Sequence, residues 1–215
     1  SILEDLLNRR DDAKKELSKT DNILIKRILN AKQLQLKLVA NSIYGLIGSK
    51  TSHIYMNKLA ASITAFGREM LNKATEFVEN NYTNTRIIYG DTDSIFIELD
   101  IVYKNDEEKI KKAIETGLTI ENDISKILKK PHKLEFEKCL YPFILFAKKK
   151  YVGLMYDRNN QNLGIDNCGI VAIRSDSAKI VKHIYNGITN IILEKKDIEQ
   201  SIIYLTDRLN DIINN

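Results

Sequence analysis

The chain has 215 residues, 43% hydrophobic and 29% charged, which is ordinary for a globular protein and enough to bury a sizeable core. Its longest stretch free of Lys, Arg, Asp and Glu runs from Leu38 to Ser49, short of the roughly 18–20 apolar residues that span a bilayer. Glu4, Asp5, Arg9 and Arg10 read against a signal peptide, and neither Cys139 and Cys168 nor His53, His132 and His183 have disulfide-framework or zinc-ligand spacing, so a reducing intracellular compartment and no membrane are expected.

Ile2, Leu3, Leu6, Leu7, Ala13 and Leu17 recur at helical spacing and predict a helix over 2–17. Ser18 to Asn22 is turn-like. A second helical pattern fills 23–45, with Gly45 and Gly48 near its end, so the first 48 residues predict a helical hairpin. A third helix is predicted over 57–80. Apolar runs at 86–89 and 94–99 flank Gly90-Asp91-Thr92-Asp93 and predict a β-hairpin. A charged amphipathic helix over 106–130 stops before Pro131. Strands are predicted at 133–137, 143–147 and 150–156, then a polar loop over 157–169, then helix beyond Asp176. The fold class implied is α+β. The chain opens on Ser1 inside a helical pattern and ends on an amphipathic run without a stop signal, so a piece of a longer protein is expected.

The strongest local feature is Y-G-D-T-D-S at 89–94. Side chains alternate along a strand, so Asp91 and Asp93 are expected on one side and Thr92 on the other. Two carboxylates at a hairpin tip repel each other unless a cation lies between them. Oxygen ligands suit Mg²⁺, and paired ions about 3.5–4 Å apart serve phosphoryl transfer. Asp and Gly are also ordinary hairpin residues, so the tripeptide alone decides nothing. The second feature is K-L-V-A-N-S-I-Y-G at 37–45. On a helix Lys37, Asn41 and Tyr44 share a face and offer a charge, an amide and a ring to a nucleotide; an amphipathic helix with one buried Asn reads equally well. Arg10 and Lys14 form a similar basic pair on the first helix. From Lys129 to Tyr151 there are seven lysines against two glutamates, the footprint of a phosphate-backbone contact or of a solvated face.

Taken together and in this order, the motifs resemble those of family B DNA polymerases, particularly the delta-type enzymes of eukaryotes and large DNA viruses. L-L-N-R-R-D-D-A-K-K-E-L at 6–17 is similar to the first fingers helix, and K-L-V-A-N-S-I-Y-G to the fingers motif. I-Y-G-D-T-D-S-I is similar to the palm metal motif, and E-F-E-K-C-L-Y-P-F-I-L-F-A-K-K-K-Y-V-G-L at 135–154 to the palm strands that end in K-K-x-Y. The resemblance implies fingers over 1–48, palm over 49–165 and the start of a thumb over 166–215. It implies that Arg10, Lys14 and Lys37 grip an incoming dNTP, with Asn41 lining the pocket and Tyr44 near the nascent base pair. Asp91 and Asp93 would hold two Mg²⁺ ions, Asp93 more directly, with Glu137 (or Glu135) as an accessory carboxylate. Lys148, Lys149, Lys150 and Tyr151 would contact primer–template DNA, and Arg174 would begin the thumb's backbone contacts.

The departures are specific. The upstream D-x-x-S-L-Y-P-S string and its aspartate are absent, as are exonuclease carboxylate motifs. At the thumb entry Cys168-Gly169 and Arg174-Ser175-Asp176 replace one lysine and one arginine of the family pattern. The expected partners are therefore primer–template DNA, dNTPs, a missing N-terminal part and a sliding clamp, at the nucleus or a viral replication site, with the isolated chain inactive. The competing readings are a reverse-transcriptase-like palm, which would place adjacent aspartates where Thr92 intervenes, and a non-catalytic nucleic-acid-binding fragment.

Overall fold

A computed structural model describes residues 2–129, 132–172 and 174–214. The chain divides into two compact units, Ser1–Glu69 and Met70–Asn215. In the first, helix α1 (Ile2–Lys19) packs on α2 (Ile23–Gly48) across a three-residue link, Thr20 to Asn22, too short for anything but an antiparallel pair. Ala13 of α1 and Leu29 of α2 are buried in this unit. Asn22 caps α2: its side-chain oxygen accepts from the Leu24 and Ile25 amides at 2.9 and 3.3 Å. Helix α3 (Asn57–Asn81) crosses from one unit into the next.

The second unit begins with the far half of α3, followed by a hairpin of β1 (Thr85–Asp91) and β2 (Ser94–Leu99) and by α4 (Asp106–Ile127). The apolar stripes of α3 and α4 meet: Ala74 and Val78 pack with Ile120, Ile124 and Leu128, and Ile87, Ile95 and Ile97 of the hairpin cover them. Asn105 starts α4 by accepting from the Glu108 amide at 2.8 Å, and three acids in the first turn suit the helix dipole. Ile124 is 0% exposed at the centre of this cluster. Ile124→Ala is expected to lower unfolding stability by about 2–5 kcal/mol, read as a lower urea midpoint at unchanged slope.

A second sheet is a meander of β3 (Cys139–Ala147), β4 (Lys150–Tyr156) and β5 (Asn162–Cys168), antiparallel throughout. Helix α5 (Lys179–Asn190) runs into a π turn at Ile191–Lys195, and α6 (Ile198–Asn214) follows. The π turn delivers Leu193, 0% exposed, into a core with Val152, Leu154 and Ile170. The architecture is α+β, as expected.

Two expectations need correction. Residues 157–169 are not a polar loop: Asp157 closes a tight turn by accepting from the Asn159 and Gln161 amides, and β5 pairs with β4 from Asn162 to Cys168. Polar composition hid an edge strand that has to cover only one neighbour. Conversely, 133–137 is not a ladder strand. The Phe136 main chain is held by side chains instead. Its amide donates to Glu121 at 2.9 Å, and its carbonyl accepts from Arg158, which in turn pairs with Glu121 at 2.7 Å. The helix expected over 106–130 ends at Ile127; Lys130 lies outside the described residues.

Candidate functional site

The hairpin carries Asp91 and Asp93 to its tip, but not by simple alternation. Asp91 is the last residue of β1, and Thr92 and Asp93 form the two-residue turn. Thr92 sits at φ 52, a region that favours glycine, and its hydroxyl donates to Asp91 Oδ1 at 3.0 Å. The Ser94 hydroxyl donates to the Asp91 carbonyl at 3.2 Å, so the tip is braced from both sides.

The β3–β4 turn lies against this tip. Lys149 holds a left-handed conformation at φ 61; its amide donates to the Tyr89 hydroxyl at 2.8 Å, and its ammonium pairs with the Asp91 carboxylate. The lysine hydrogen bond holds the Asp91 carboxyl below its ordinary range, and Asp91 in turn raises Lys149. Gly169, at φ 59, backs the same turn. Behind the turn, Tyr89, Phe96, Phe143 and Tyr151 form one aromatic cluster, with centroids 5.2 to 5.8 Å apart, which locks the hairpin to the three-stranded sheet. Nothing in the local sequence marks this joint, which is made by residues far apart in the chain, such as Phe96 and Tyr151.

A cleft of about 900 Å³ opens beside the hairpin. Asp91, Asp93, Glu135, Glu137, Lys138 and Tyr151 all line it, so the hairpin carboxylates and the expected accessory glutamates share one space. Glu137 is mostly exposed, with Lys138 at 3.7 Å, and Glu135 pairs with Lys133 at 2.5 Å. Among the described residues no three metal-ligating side chains gather closely enough to form a complete site. The Asp93 carboxylate is exposed and, among the described residues, has no side-chain partner.

Tyr151 borders the cleft from a packed position. It is 8% exposed, its ring is packed against Phe96 and Phe143, and burial pushes its phenol above the ordinary value. Lys148 and Lys150 are exposed on either side of Lys149. Arg174 is exposed and forks onto Asp176 at 3.0 and 2.7 Å. In the first unit Lys14, Lys37, Asn41 and Tyr44 are exposed on α1 and α2, while Arg10 is half-buried with an unpartnered Nε. Among the described residues no hydrogen bond or ion pair joins these five to one another. No helix of the described residues is long and apolar enough to cross a membrane.

The whole chain, residues 1–215, matches the model of DNA polymerase family B. It is 42% identical over 198 residues to the DNA polymerase of Pyramimonas orientalis virus, covering 91% of this chain and 16% of that protein. Against the DNA polymerase delta catalytic subunits of Glycine max and Candida albicans it is 33% and 32% identical, covering 100% of this chain and 20% and 21% of theirs. The chain thus spans about a fifth of the length of the curated relatives it matches. A full-length family match, with the carboxylate hairpin, the adjoining basic turn and the α+β frame behind them, means that this chain belongs to DNA polymerase family B.

Proposed function

We propose that this chain is the part of a template-directed DNA polymerase that holds the catalytic hairpin, grips the incoming dNTP and begins the duplex channel. The observation that carries this reading is the shared cleft. Asp91 and Asp93 face the same space as Glu135 and Glu137, and the basic turn Lys148–Lys150 lies directly against the hairpin. In this reading 1–48 are fingers, 49–165 palm and 166–215 the start of the thumb.

The donor set fits Mg²⁺ in kind, being carboxylate oxygen throughout, and Asp93 is the side chain left free to ligate it. Asp91, Asp93 and Glu137 would hold the ions, which when bound would neutralise charge on the transferred phosphoryl group. The chain's own residues do the rest. Lys149 holds the Asp91 carboxylate in place until a cation takes over from its ammonium. Lys14, Lys37 and the unpartnered Arg10 Nε supply charge for a triphosphate, Asn41 supplies an amide, and Tyr44 a ring for the base pair. Arg174 supplies a backbone contact once it leaves Asp176.

The cleft also supports the expected dependence on a further part of the polymerase. All six residues of β2 line it, although alternate side chains point to opposite faces, so β2 borders the cleft with its open edge. Lys133 to Lys138 line it without a gap as well. Among the described residues neither the open edge of β2 nor residues 133–138 join a further ladder, which leaves a slot for a strand supplied from elsewhere in the polymerase. Such a strand is the natural carrier of the missing aspartate. A sliding clamp and a nuclear or viral replication site belong to the same proposal.

The test is primer extension. The complete polymerase containing this chain should lengthen a labelled primer by template-directed, magnesium-dependent addition. A protein that binds the duplex yet adds no nucleotide would favour the non-catalytic binding reading instead. Duplex grip gives a finer check. Lys149 already spends its charge on Asp91, so Lys148→Ala should flatten the slope of log K against log salt by about 0.9, and Lys149→Ala by clearly less.

A further inference from the structure

Behind Tyr151 lies a charge pair that the chemistry above does not use. Lys138, just ahead of β3, places its ammonium 2.7 Å from Asp166 Oδ2 of β5, with both side chains about four-fifths buried (18% and 20% exposed). Ion pairs buried to this degree add little net stability, because desolvation cancels most of the attraction. Their usual benefit is geometric. Here the geometry involves a third group: the same ammonium lies 3.5 Å from the Tyr151 hydroxyl oxygen. The Tyr151 ring is already clamped by Phe96 and Phe143 at 5.3 and 5.6 Å, so the hydroxyl end is the part left to fix. Lys138 and Tyr151 both line the cleft that Asp91 and Asp93 face.

We propose that Lys138 and Asp166 are positioning residues for Tyr151. Asp166 anchors the ammonium, the ammonium donates to the phenol oxygen, and the phenol's own proton is thereby directed into the cleft as a donor. The group it suits is an oxygen acceptor at the primer end, a sugar or phosphate oxygen of the terminal nucleotide. The inference rests on the polymerase reading of the cleft.

The test uses the complete polymerase and a double-mutant cycle: wild type, Lys138→Met, Tyr151→Phe and the double variant. Single-nucleotide addition and the fluorescence of 2-aminopurine at the primer 3′ end are read together. Losing a charge-assisted hydrogen bond should lower kcat about tenfold in each single variant, with the dNTP KM unchanged. The terminal 2-aminopurine should brighten as the primer end loosens. The double variant should be no worse than Tyr151→Phe, and Lys138→Arg should recover most of the loss. Thermal melting separates misfolding from mispositioning. Should Lys138→Met fail to fold, Asp166→Asn serves in its place, with the same non-additivity expected. Losses that multiply in the double variant would overturn the proposal, as would a Tyr151→Phe enzyme with full kcat and an undisturbed primer end. A wild-type enzyme that adds no nucleotide would overturn the polymerase reading itself, a different outcome from either.

Discussion

Replacing Asp93 with alanine should abolish magnesium-dependent primer extension by the complete polymerase, with a loss of about a thousandfold or more in kcat, while duplex binding persists. The size follows from the local electrostatics. Asp91 shares its charge with Lys149, which leaves Asp93 as the more direct of the two hairpin ligands for a divalent cation. Electrostatic stabilisation of a developing phosphoryl charge is worth about 10²–10³ in rate for even one donor, and a metal ligand serves several such interactions at once. Asp91→Asn should be milder, because Lys149 loses its partner but the Asp93 carboxylate stays in place. Duplex affinity, measured by fluorescence anisotropy at constant salt, should hold for both. Unimpaired extension by the Asp93→Ala enzyme would remove the metal assignment and leave the binding-module reading as the better one.

Gly169→Ala should be the most damaging small substitution in the chain. Gly169 sits at φ 59, where any side chain costs about 1–2 kcal/mol. The added methyl would also overlap the Lys149 carbonyl oxygen, which is backbone and has nowhere to rotate. Something must move, and the candidates are all functional: the Lys149 turn, its hydrogen bond to Tyr89, and through them the Asp91 pair. A destabilisation of about 3 kcal/mol or more is expected, together with loss of extension even at temperatures where the protein stays folded. Gly164→Ala is the control. It is left-handed as well, at φ 90, but a methyl there meets nothing within 4 Å, so it should cost strain alone and leave activity intact. Equal effects from the two would mean that strain, not the close approach, is what matters at Gly169.

The elements that sequence reading located well are those whose own residues determine them. α2 is bounded by the Asn22 cap, α4 by Asn105, and the catalytic hairpin by two apolar runs around four turn residues. β5 was missed because an edge strand such as Asn162–Cys168 needs no apolar alternation. Residues 133–137 have strand composition, but a ladder needs a second chain segment, and composition cannot supply one. At the site, Asp91 and Asp93 are legible from motif and spacing, and the glutamates at 135 and 137 only through the family resemblance; all four line one cleft. What was not legible is how charge is allotted among them. That Lys149 turns inward to Asp91, and that Lys138 pairs with Asp166 behind Tyr151, depends on a left-handed backbone and a three-stranded register. Neither leaves a trace in local sequence.

The open edge of β2 has a consequence for handling the protein. Unpaired amides and carbonyls along a sheet edge recruit any extended peptide, including another copy of the same chain, and this is the usual start of ordered aggregation. Ile95 and Ile97 are already packed on the core, so the edge itself is what an added strand would meet. Glu98 on the strand, paired with Arg86 at 2.6 Å, and Lys133, Glu135, Glu137 and Lys138 on the opposite rim act as gatekeepers, because an added strand would have to desolvate them. Preparations of this chain alone are therefore best kept dilute.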